Sequence, residues 1–511
     1  MKILLVNPPA RRFVYQHSPS FPLGLGYIAS FLNKKHHTVK IFDAEWNYQT
    51  FPLIKKPRFP LSYMAKNWNR YFIGLKDPEH PIWKEIESVI LDEIPDIVGI
   101  TARTIDLPSA HMITEIIKKN NPKIITVIGG PAATIQPDKT LHNLSVDFAI
   151  RGEGEITFLE LVSKIESGKN NFDEIAGLSY RINDRVLHNN ARILISDINE
   201  IPYPDRTSLL YAPLLPENNF KSLMGEIIGS RGCPYNCAFC ANHSIWGSRK
   251  PRMRKPENII DEIIELKNKF HVTRFIFWDD LFTLNKHRCM EICNEIINRN
   301  LHIEWICLAR ADTIDDELCL LLKKAGCIEI QLGVESGSEC ILELMVKKIT
   351  IKDIINSADI IKRHGLKLHI FLLIGFPGEQ IGDLIATMNI IPKLLPNVVE
   401  LSIFAPYPGS DAYNSLMKKG ENEVMEKEIS YADFLNIKYN FNPNYDDIDF
   451  NGISLDLLKI CDLYNLINKG LIKITPVNRS FSFNIIRERI MKFLIKGLIF
   501  IIIKKHDLYG R

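Results

Sequence analysis

The chain has 511 residues, which is too long for one ordinary hydrophobic core and predicts two large domains with an appendage. Its 63 basic and 60 acidic residues leave a net charge of +3, which excludes the strong basic excess of a general nucleic-acid-binding protein. No stretch reaches the roughly 18 apolar residues of a membrane span, and the apolar run at the N-terminus is too short for a signal peptide. These features predict a cytoplasmic protein whose thiols are reduced.

The first 195 residues alternate between strand-like and helix-like periods. Strand patterns occur at Lys2–Val6, Val39–Phe42, Asp96–Thr101, Ile124–Ile128 and Asp147–Ile150, and the clearest helix patterns at Leu23–Asn33 and Ser109–Lys119. This alternation predicts a parallel, doubly wound, Rossmann-like sheet over residues 1–195, with a ligand at the carboxyl ends of its strands. Residues 46–85, rich in Trp, Tyr and Pro, fit the pattern poorly and are interpreted as an insertion.

Glycine-rich segments stand where the predicted strands of this first domain end. They lie at residues 21–29, 99–102, 128–134 and 151–155. Glycine lets the backbone approach a large ligand closely and leaves amide groups able to donate hydrogen bonds. Each segment alone is equally typical of an ordinary tight βα turn. The interpretation as a binding site therefore depends on the four segments occurring together.

Residues 196–225 are rich in proline and are predicted to link the first domain to a second βα array. Strand patterns of this array lie at Glu226–Gly229, Arg274–Trp278, His302–Leu308, Ile328–Val334, Lys367–Ile374 and Val398–Phe404. Helical periods between them lie at 257–269, 286–299, 315–325, 351–364 and 380–394. Six βα units predict a partial (β/α)6 TIM-like barrel within residues 196–415, with its active site at the carboxyl ends of the strands.

The loop after the first barrel strand carries Cys233, Cys237 and Cys240 within eight residues. Three thiolates on one short loop suit three irons of a [4Fe–4S] cluster, whose fourth iron then keeps a position open for substrate. His243 lies three residues further on, so a closed Cys3His zinc site in a non-enzymatic binding protein is the alternative. The other seven cysteines are interpreted as buried apolar residues rather than as a second cluster: Cys289, Cys293, Cys307, Cys319, Cys327, Cys340 and Cys461.

The carboxyl ends of the other barrel strands carry polar or glycine-rich groups. Asp279 and Asp280 follow the second strand, Arg310 follows the third, and the fourth and fifth end in Gly333–Gly337 and Gly375–Glu379. These positions meet at one rim of a barrel, where an active site would need them. The structural alternatives are a helix N-terminal charge for Glu335 and a surface ion pair for Arg310.

Residues 416–511 form a predicted helical C-terminal region with an apolar, basic tail. A helix pattern covers Leu455–Asn468, and the tail runs from Ile485 to Lys505. Within it, Leu498–Ile503 is entirely apolar and is bracketed by Lys492, Lys496, Lys504 and Lys505. The tail is too short to span a bilayer. It predicts either a helix lying in the membrane interface or a terminal helix docked on the barrel.

The cysteine loop resembles that of the radical SAM superfamily, whose hallmark is C-x3-C-x2-C with an aromatic residue before the last cysteine, here Phe239. The resemblance implies that the open iron binds S-adenosylmethionine, which is cleaved to a 5′-deoxyadenosyl radical with an electron from an external donor such as flavodoxin or ferredoxin. It implies no catalytic side chain. Carried over to this sequence, it implies S-adenosylmethionine contacts by Phe239, Gly333, Glu335, Ser336, Gly375 and Gly378, with Arg310 as a further candidate.

The glycine-rich segments, followed by this cysteine loop, resemble the cobalamin-binding domain of one large radical SAM class. The resemblance implies cobalamin contacts by Pro22, Leu23, Gly24, Thr101, Gly129, Gly130, Thr134, Gly152, Glu153 and Gly154. The motif that supplies a lower axial histidine in other cobalamin proteins is missing, because the chain reads Asp43-Ala44-Glu45-Trp46 there. The loop Pro22–Leu25 is therefore expected to shape the lower face. A first domain that binds nothing, or that serves only as an interaction module, stays open.

The resemblance implies methyl transfer from cobalamin to an unactivated carbon of a small molecule, with no need for a protein general base. The same class also performs oxidative ring closure in tetrapyrrole synthesis and rearrangement of lipid precursors, and the sequence does not separate these reactions. Methylthiotransferases carry three extra cysteines in their first domain. This chain has none before Cys233, which excludes that class. An interfacial tail would favour a lipid or isoprenoid substrate.

Overall fold

The fold is that of a computed structural model. It describes residues 1–14, 20–46, 60–215, 217–418, 441–469, 496–502 and 504–506. Two sheets, one in each half of the chain, organise the described residues. The α/β class predicted from the alternating periods is confirmed, as is the helical C-terminal region.

The first sheet has seven strands in the order β2-β1-β3-β4-β5-β6-β7. Strands β1 to β5 are parallel, and β6 and β7 add an antiparallel hairpin at one edge. The strand order reverses between β1 and β3, the place where doubly wound sheets bind ligands. The sequence predicted the five parallel strands but not the hairpin. The strands are β1 Lys2–Asn7, β2 Thr38–Asp43, β3 Ile97–Thr101, β4 Ile125–Gly129, β5 Phe148–Ile150, β6 Leu178–Ile182 and β7 Arg185–His188.

Helices cover both faces of this sheet; two of those described lie within the predicted insertion at residues 46–85, and a third begins there. Asp462, from the C-terminal region, accepts hydrogen bonds from the amides of Leu61 (3.1 Å) and Ser62 (2.9 Å), which tie the insertion to the far end of the chain. The helices are α1 Leu23–Asn33, α2 Pro60–Asn67, α3 Asn69–Leu75, α4 Pro81–Glu93, α5 Leu107–Asn120, α6 Pro131–Ile135, α7 Pro137–His142 and α8 Gly154–Glu166.

The second sheet is a partial barrel of six parallel strands in the order β15-β14-β13-β12-β11-β8. It stays open because β8 and β15 each pair on one side only. A short antiparallel ribbon, β9 with β10, brackets the cysteine loop. The strands are β8 Glu226–Ile227, β9 Ser230–Arg231, β10 Arg252–Met253, β11 Arg274–Phe277, β12 Glu304–Ala309, β13 Cys327–Glu335, β14 Lys367–Ile374 and β15 Val398–Ile403.

Helices alternate with the barrel strands as the periods predicted. Buried positions recur along their inner faces, for example Ile259, Ile263 and Leu266 of α11. The helices are α9 Glu217–Met224, α10 Asn242–Trp246, α11 Pro256–Phe270, α12 Lys286–Asn298, α13 Asp316–Lys324, α14 Glu339–Leu344, α15 Ile351–Arg363, α16 Ile381–Leu394, α17 Asp411–Lys418 and α18 Phe450–Asn468.

The predicted linker is fastened to both halves. Its backbone pairs with Ile41 of β2 through Ser208 and Leu210, both at 2.8 Å. The buried side chain of Arg206 reaches the barrel, where it forms an ion pair with Glu262 at 3.0 Å. The linker therefore fixes the two sheets relative to each other.

Six of the seven cysteines outside the loop are buried, as predicted. Cys340 is exposed, so the prediction is wrong there. It is the second residue of α14, where the helix turns its buried side to Ile341 and Leu342 instead.

The described part of the tail docks on α18. Ile499 and Ile502 are buried in the core, and Lys505 and His506 contact Asp456 of α18 at 2.5 and 3.2 Å. This arrangement matches the docked alternative. No described helix is long and apolar enough to cross a membrane. Residues 485–495 and Ile503 lie outside the described residues.

Glu379 is a fully buried carboxyl after β14, covered by the segment that leads into α18. It accepts hydrogen bonds from the Gly375 amide (2.6 Å) and the Tyr445 hydroxyl (2.8 Å). Burial is the main cause that raises the pKa of Glu379 from 4.5 to about 7. Between these values the folded protein holds a proton that the unfolded chain releases, so this carboxyl's contribution to stability is lost as pH rises from about 4.5 through 7.

Over this pH interval the free energy of unfolding of the wild type should fall. We expect the fall to be smaller in Glu379→Gln, by an amount on the order of 3 kcal/mol. The amide keeps the shape of the side chain but cannot ionise. Urea unfolding at pH 5 and pH 7.5 measures the difference. Glu265→Gln, which changes an exposed carboxylate of α11, is the control. An unchanged pH dependence in Glu379→Gln would contradict the assignment.

Candidate active site

The three cysteines lie on the loop that the β9–β10 ribbon brackets, at the carboxyl end of β8. All three are half-buried and none forms a disulfide. The loop backbone is anchored to the barrel where the Ala238 amide donates to the carbonyl of Met345 at 2.9 Å. The backbone that carries the thiols is therefore tied to the barrel within the loop.

Buried charged side chains hold the chain that enters this loop. Three arginines donate to consecutive parts of its backbone: Arg206 to the carbonyl of Glu226 (2.5 Å), Arg254 to that of Ile228 (2.9 Å) and Arg288 to that of Gly229 (2.7 Å). Charge-assisted hydrogen bonds of this kind are stronger than those between neutral groups. Sequence reasoning missed these arginines, because they are far apart along the chain and form no motif.

Asp279 and Asp280, the two carboxylates predicted at the end of β11, also hold the backbone that leads into the cysteine loop. Asp279 accepts a hydrogen bond from the Gly229 amide at 2.8 Å, and Asp280 accepts one from the Gly232 amide at 3.0 Å. Burial raises the pKa of both carboxyls. Their observed contacts are with the loop backbone.

Among the residues that the structure describes, no group of three or more His, Cys, Asp and Glu side chains could hold one metal ion. His243, the fourth ligand of the zinc alternative, lies on α10, the helix that follows the cysteines. Burial raises the pKa of Cys233, and it raises that of Cys240 to about 11. A cluster iron at each sulfur would favour the thiolate that this environment otherwise disfavours.

Glu335 of β13 lies close to Phe239, which belongs to the cysteine loop, and both line one cavity. Glu335 has a φ of +65° and pairs with the buried Lys347 at 2.8 Å. The Lys347 ammonium lies 5.8 Å from the centre of the Phe239 ring. A Cβ at Gly333 would lie 2.7 Å from the Glu335 carboxylate and 2.9 Å from the Lys347 ammonium, so glycine leaves the space that this ion pair occupies.

Ser336 and Arg310 are engaged with the protein itself. The Ser336 hydroxyl is fully buried and shares a hydrogen bond with Thr387 at 2.8 Å. The Arg310 guanidinium lies 3.9 Å from the centre of the Tyr235 ring and pairs with Asp312 at 2.8 Å. The ion pair considered for Arg310 therefore exists, but the arginine is buried and supports the cysteine loop.

Gly375 and Gly378 both have left-handed backbones, with φ of +79° and +94°. A Cβ at Gly375 would lie 2.7 Å from the Phe450 ring. The Gly378 amide donates to the side chain of Asn442 at 3.2 Å. The C-terminal region therefore packs closely against this strand end.

A small cavity of about 190 Å³ opens next to Phe239 and Glu335. Apart from these two residues, its wall is mainly apolar and comes from β14, β15 and the chain that follows: Phe371, Leu372, Leu373, Ser402, Ile403, Phe404, Ala405 and Tyr407. The inner side of the barrel rim thus offers an apolar space beside the cysteine loop.

A larger cavity of about 270 Å³ lies at the carboxyl edge of the first sheet. Of the residues predicted there, those that line it are Gly24, Thr101, Gly129, Gly130, Thr134, Gly152, Glu153 and Gly154. Pro22 and Leu23 do not line it, whereas Leu25 does. No histidine is among the described residues that line this cavity.

The glycines of this cavity serve different purposes. A Cβ at Gly24 or Gly152 would meet no heavy atom within 4 Å, so these positions leave open space for a ligand. Gly130, with φ of +91°, would instead place a Cβ 2.9 Å from the Thr101 hydroxyl. Gly130 is therefore required by the packing of its own turn.

The wall opposite the glycines belongs to the second half of the chain. It is formed by Ile228, Arg231, Ile245 and Trp246, which flank the three cysteines in sequence. The larger cavity and the cysteine loop thus share a boundary.

Comparisons with known proteins match this arrangement. The sequence profile of the Radical SAM superfamily matches residues 227–391, and that of the B12 binding domain matches residues 62–162. A protein of Pyrococcus horikoshii named as an uncharacterized methyltransferase is 34% identical over 418 residues, which cover 80% of this chain and 82% of the relative. The chain belongs to the radical SAM superfamily, in the class with a B12-binding domain.

Two further relatives show the breadth of this class. The anaerobic magnesium-protoporphyrin IX monomethyl ester cyclase of Rubrivivax gelatinosus is 30% identical over 65% of this chain and 60% of the relative. The radical S-adenosylmethionine methyltransferase TsrM from Kitasatospora setae, solved with cobalamin and a [4Fe–4S] cluster, shares the fold with a TM-score of 0.65. The two sequences are 15% identical, and the structural alignment covers 99% of each chain.

This chain is thus a radical SAM enzyme. Its membership implies a [4Fe–4S] cluster, S-adenosylmethionine and cobalamin as cofactors. The donor set fits the cluster, since three free, half-buried thiols lie on one short loop. The open space at Gly24 and Gly152 fits a bulky ligand at the sheet edge. Enzymes of this superfamily act on small molecules and take electrons from an external donor.

Gly24→Leu tests the larger cavity. We expect this radical SAM enzyme to keep its fold, because residue 24 is helical and a Cβ added there meets no heavy atom within 4 Å. The side chain fills the cavity, so the Kd for hydroxocobalamin should rise about tenfold or more, or about 1.4 kcal/mol. Titration of the corrin absorbance measures it.

The matched control is Gly382→Leu. Gly382 is likewise the second residue of a helix with open space around it, but it lies outside the cavity. Equal affinity of Gly24→Leu and the wild type for cobalamin would show that the corrin does not occupy this cavity.

Proposed function

We propose that this enzyme methylates an unactivated carbon of a lipid, an isoprenoid or another secondary metabolite, using cobalamin. The observation that supports this most is the shared boundary of the two sites: Ile228, Arg231, Ile245 and Trp246 line the larger cavity and flank the cysteine loop. When bound, the cluster and S-adenosylmethionine supply a 5′-deoxyadenosyl radical, and cobalamin supplies the methyl group. One substrate carbon placed near this boundary would be within reach of both.

In this proposal Cys233, Cys237 and Cys240 hold the cluster. Phe239, Glu335 and the turn at Gly333 contact S-adenosylmethionine. Phe239 is on the loop itself, and Glu335 and Gly333 lie close to it at the end of β13. The same role is proposed for the backbone at Gly375 and Gly378. Ser336 and Arg310 serve by fixing this surface, because their polar groups are already bonded within the protein.

The first domain supplies the cobalamin site. We propose that Gly24, Thr101, Gly129, Thr134, Gly152 and Gly154 approach the corrin and its tail. The proposed division of the chain is residues 1–195 for this domain, 196–415 for the linker and barrel, and 416–511 for the C-terminal region. The two sheets, which end at His188 and Ile403, agree with this division.

The apolar lining of the smaller cavity supports an apolar substrate. Phe371, Leu373, Ile403 and Phe404 face the space beside Phe239, a surface that suits a hydrocarbon chain better than a polar metabolite. We also propose a cytoplasmic enzyme with peripheral contact to the inner face of the membrane. The docked tail supports this contact, because Phe500 and Ile501 remain about half exposed near Lys504.

Oxidative ring closure is the second candidate reaction. The identity of 30% with the magnesium-protoporphyrin IX monomethyl ester cyclase of Rubrivivax gelatinosus favours it. The two reactions differ in their products, since only methyl transfer adds a carbon from S-adenosylmethionine to the substrate.

Anaerobic turnover with methyl-labelled S-adenosylmethionine on a membrane-lipid extract tests the proposal. The protein is first reconstituted with iron, sulfide and hydroxocobalamin, and flavodoxin or dithionite supplies electrons. We expect labelled lipid product together with 5′-deoxyadenosine. Product formation without incorporated label would favour ring closure, and colourless protein with bound zinc would contradict the assignment as a whole.

Cys237→Ala is the informative variant of this assay. Loss of one thiolate removes a cluster ligand, so 5′-deoxyadenosine formation should fall below detection. Cys340→Ala is the control, because Cys340 is an exposed cysteine outside the loop. Continued cleavage by Cys237→Ala would show that the cluster is not bound here.

A further inference from the structure

We propose that Arg231 is a positioning residue that couples the two cofactor sites. Together with Arg252, Glu153 and Glu155 it forms a group that we call the arginine clamp. The clamp fixes the neck of the cysteine loop to the edge of the larger cavity. The inference rests on the proposed function for the two bound groups, cobalamin in the larger cavity and the cluster at the cysteine loop. The contacts that carry it are all between residues of the protein.

The clamp begins in the β9–β10 ribbon. Arg231 pairs with Arg252 across its two strands, and residues 232–251 between them carry all three cysteines of the loop. The ribbon is therefore the neck through which the loop is attached. Any rotation of this neck would move the thiols.

Two carboxylates from the first domain hold the ribbon. Arg231 donates to Glu153 and to Glu155, each at 2.6 Å, and Arg252 donates to Glu153 at 2.9 Å. Two positive and two negative groups are therefore balanced in a largely buried site, where each charge needs its partner. The side chains of Arg231, Glu153 and Glu155 are each no more than 6% exposed.

Both carboxylate oxygens of Glu153 are engaged within the protein. One oxygen accepts from Arg231, and the other accepts from Arg252 and from the Ile195 amide at 2.9 Å. Although the resemblance implied that Glu153 contacts cobalamin, its carboxylate is turned to the clamp. Its neighbours Gly152 and Gly154 line the cavity, so the clamp sets the position of this cavity edge as well.

Arg231 also contacts two aromatic walls of the cavity. Its guanidinium lies 5.1 Å from the centre of the Tyr27 ring and 5.7 Å from that of the Trp246 ring. The Trp246 indole donates to Asp280 at 3.0 Å, and Asp280 also accepts from the Gly232 amide. Arg231 thus contacts the edge of the cavity at Glu153 and the helix after the cysteines at Trp246. Trp246 and Asp280 continue this network to the Gly232 amide, directly before Cys233.

Arg231→Met tests the coupling, since it replaces the apolar stem of the arginine with an unbranched chain of similar size and removes the guanidinium donors. Two separate readouts are used on the full-length protein, reconstituted anaerobically. One is the Kd for hydroxocobalamin, from corrin absorbance. The other is the change in the electron paramagnetic resonance spectrum of the reduced cluster on addition of S-adenosylmethionine. We expect the Kd to rise about tenfold and the S-adenosylmethionine-induced change to be lost or altered.

Glu155→Gln and Arg231→Lys are milder changes to the same contacts. They replace Arg231→Met in the test if that variant does not fold. Each should move both readouts in the same direction by a smaller amount. Arg12→Met is the matched control, because Arg12 is also 6% exposed and pairs with a carboxylate, Glu85, but within the first domain alone. It should leave both readouts within twofold of the wild type.

A folded Arg231 variant that changes only one readout, or neither, would overturn the coupling. So would an equal effect of Arg12→Met on both, which would indicate general loss of stability. A wild-type protein that binds no cobalamin and assembles no cluster would overturn the proposed function as well. The two failures are therefore distinguishable.

Discussion

The structure depends on hydrogen bonds from buried charged side chains to the backbone that leads into the three-cysteine loop. Three buried arginines bind the carbonyls of Glu226, Ile228 and Gly229, and two aspartates bind the amides of Gly229 and Gly232. Buried charges are costly unless each is paired and hydrogen-bonded, and here each has partners on a different element. The result is a rigid support for side chains that must meet a cluster without a fourth protein ligand.

This support also explains how two α/β domains form one site. The linker contributes Arg206, the barrel contributes Arg254 and Arg288, and the first domain contributes Glu153 and Glu155 through Arg231. The larger cavity consequently has one wall of glycine turns and one wall of residues that flank the cysteines. An enzyme that uses two large cofactors on one carbon needs their sites fixed relative to each other, because misplacement by about 1 Å can cost a hundredfold in rate.

Local patterns in the sequence predicted much of this architecture. Helix α1 and strand β14 begin and end where their periods predicted, since hydrophobic periodicity reflects the burial of the element itself. The glycine segments predicted a ligand site at the carboxyl edge of the first sheet, and most of the residues predicted there do line a cavity. The cysteine spacing predicted an iron–sulfur site on the loop. The partners of Glu153, the three arginines and the exposure of Cys340 were not predictable. They depend on contacts between segments tens of residues apart, for which a single sequence carries no periodic signal.

The central claim is that the protein supplies three ligands and leaves one iron for S-adenosylmethionine. Mössbauer spectroscopy of protein reconstituted with iron-57 tests it most directly. The account predicts that adding S-adenosylmethionine shifts the signal of about one quarter of the iron, the single iron of a [4Fe–4S] cluster without a cysteine ligand. A cluster whose four irons remain equivalent, or a protein that takes up no cluster, would contradict it.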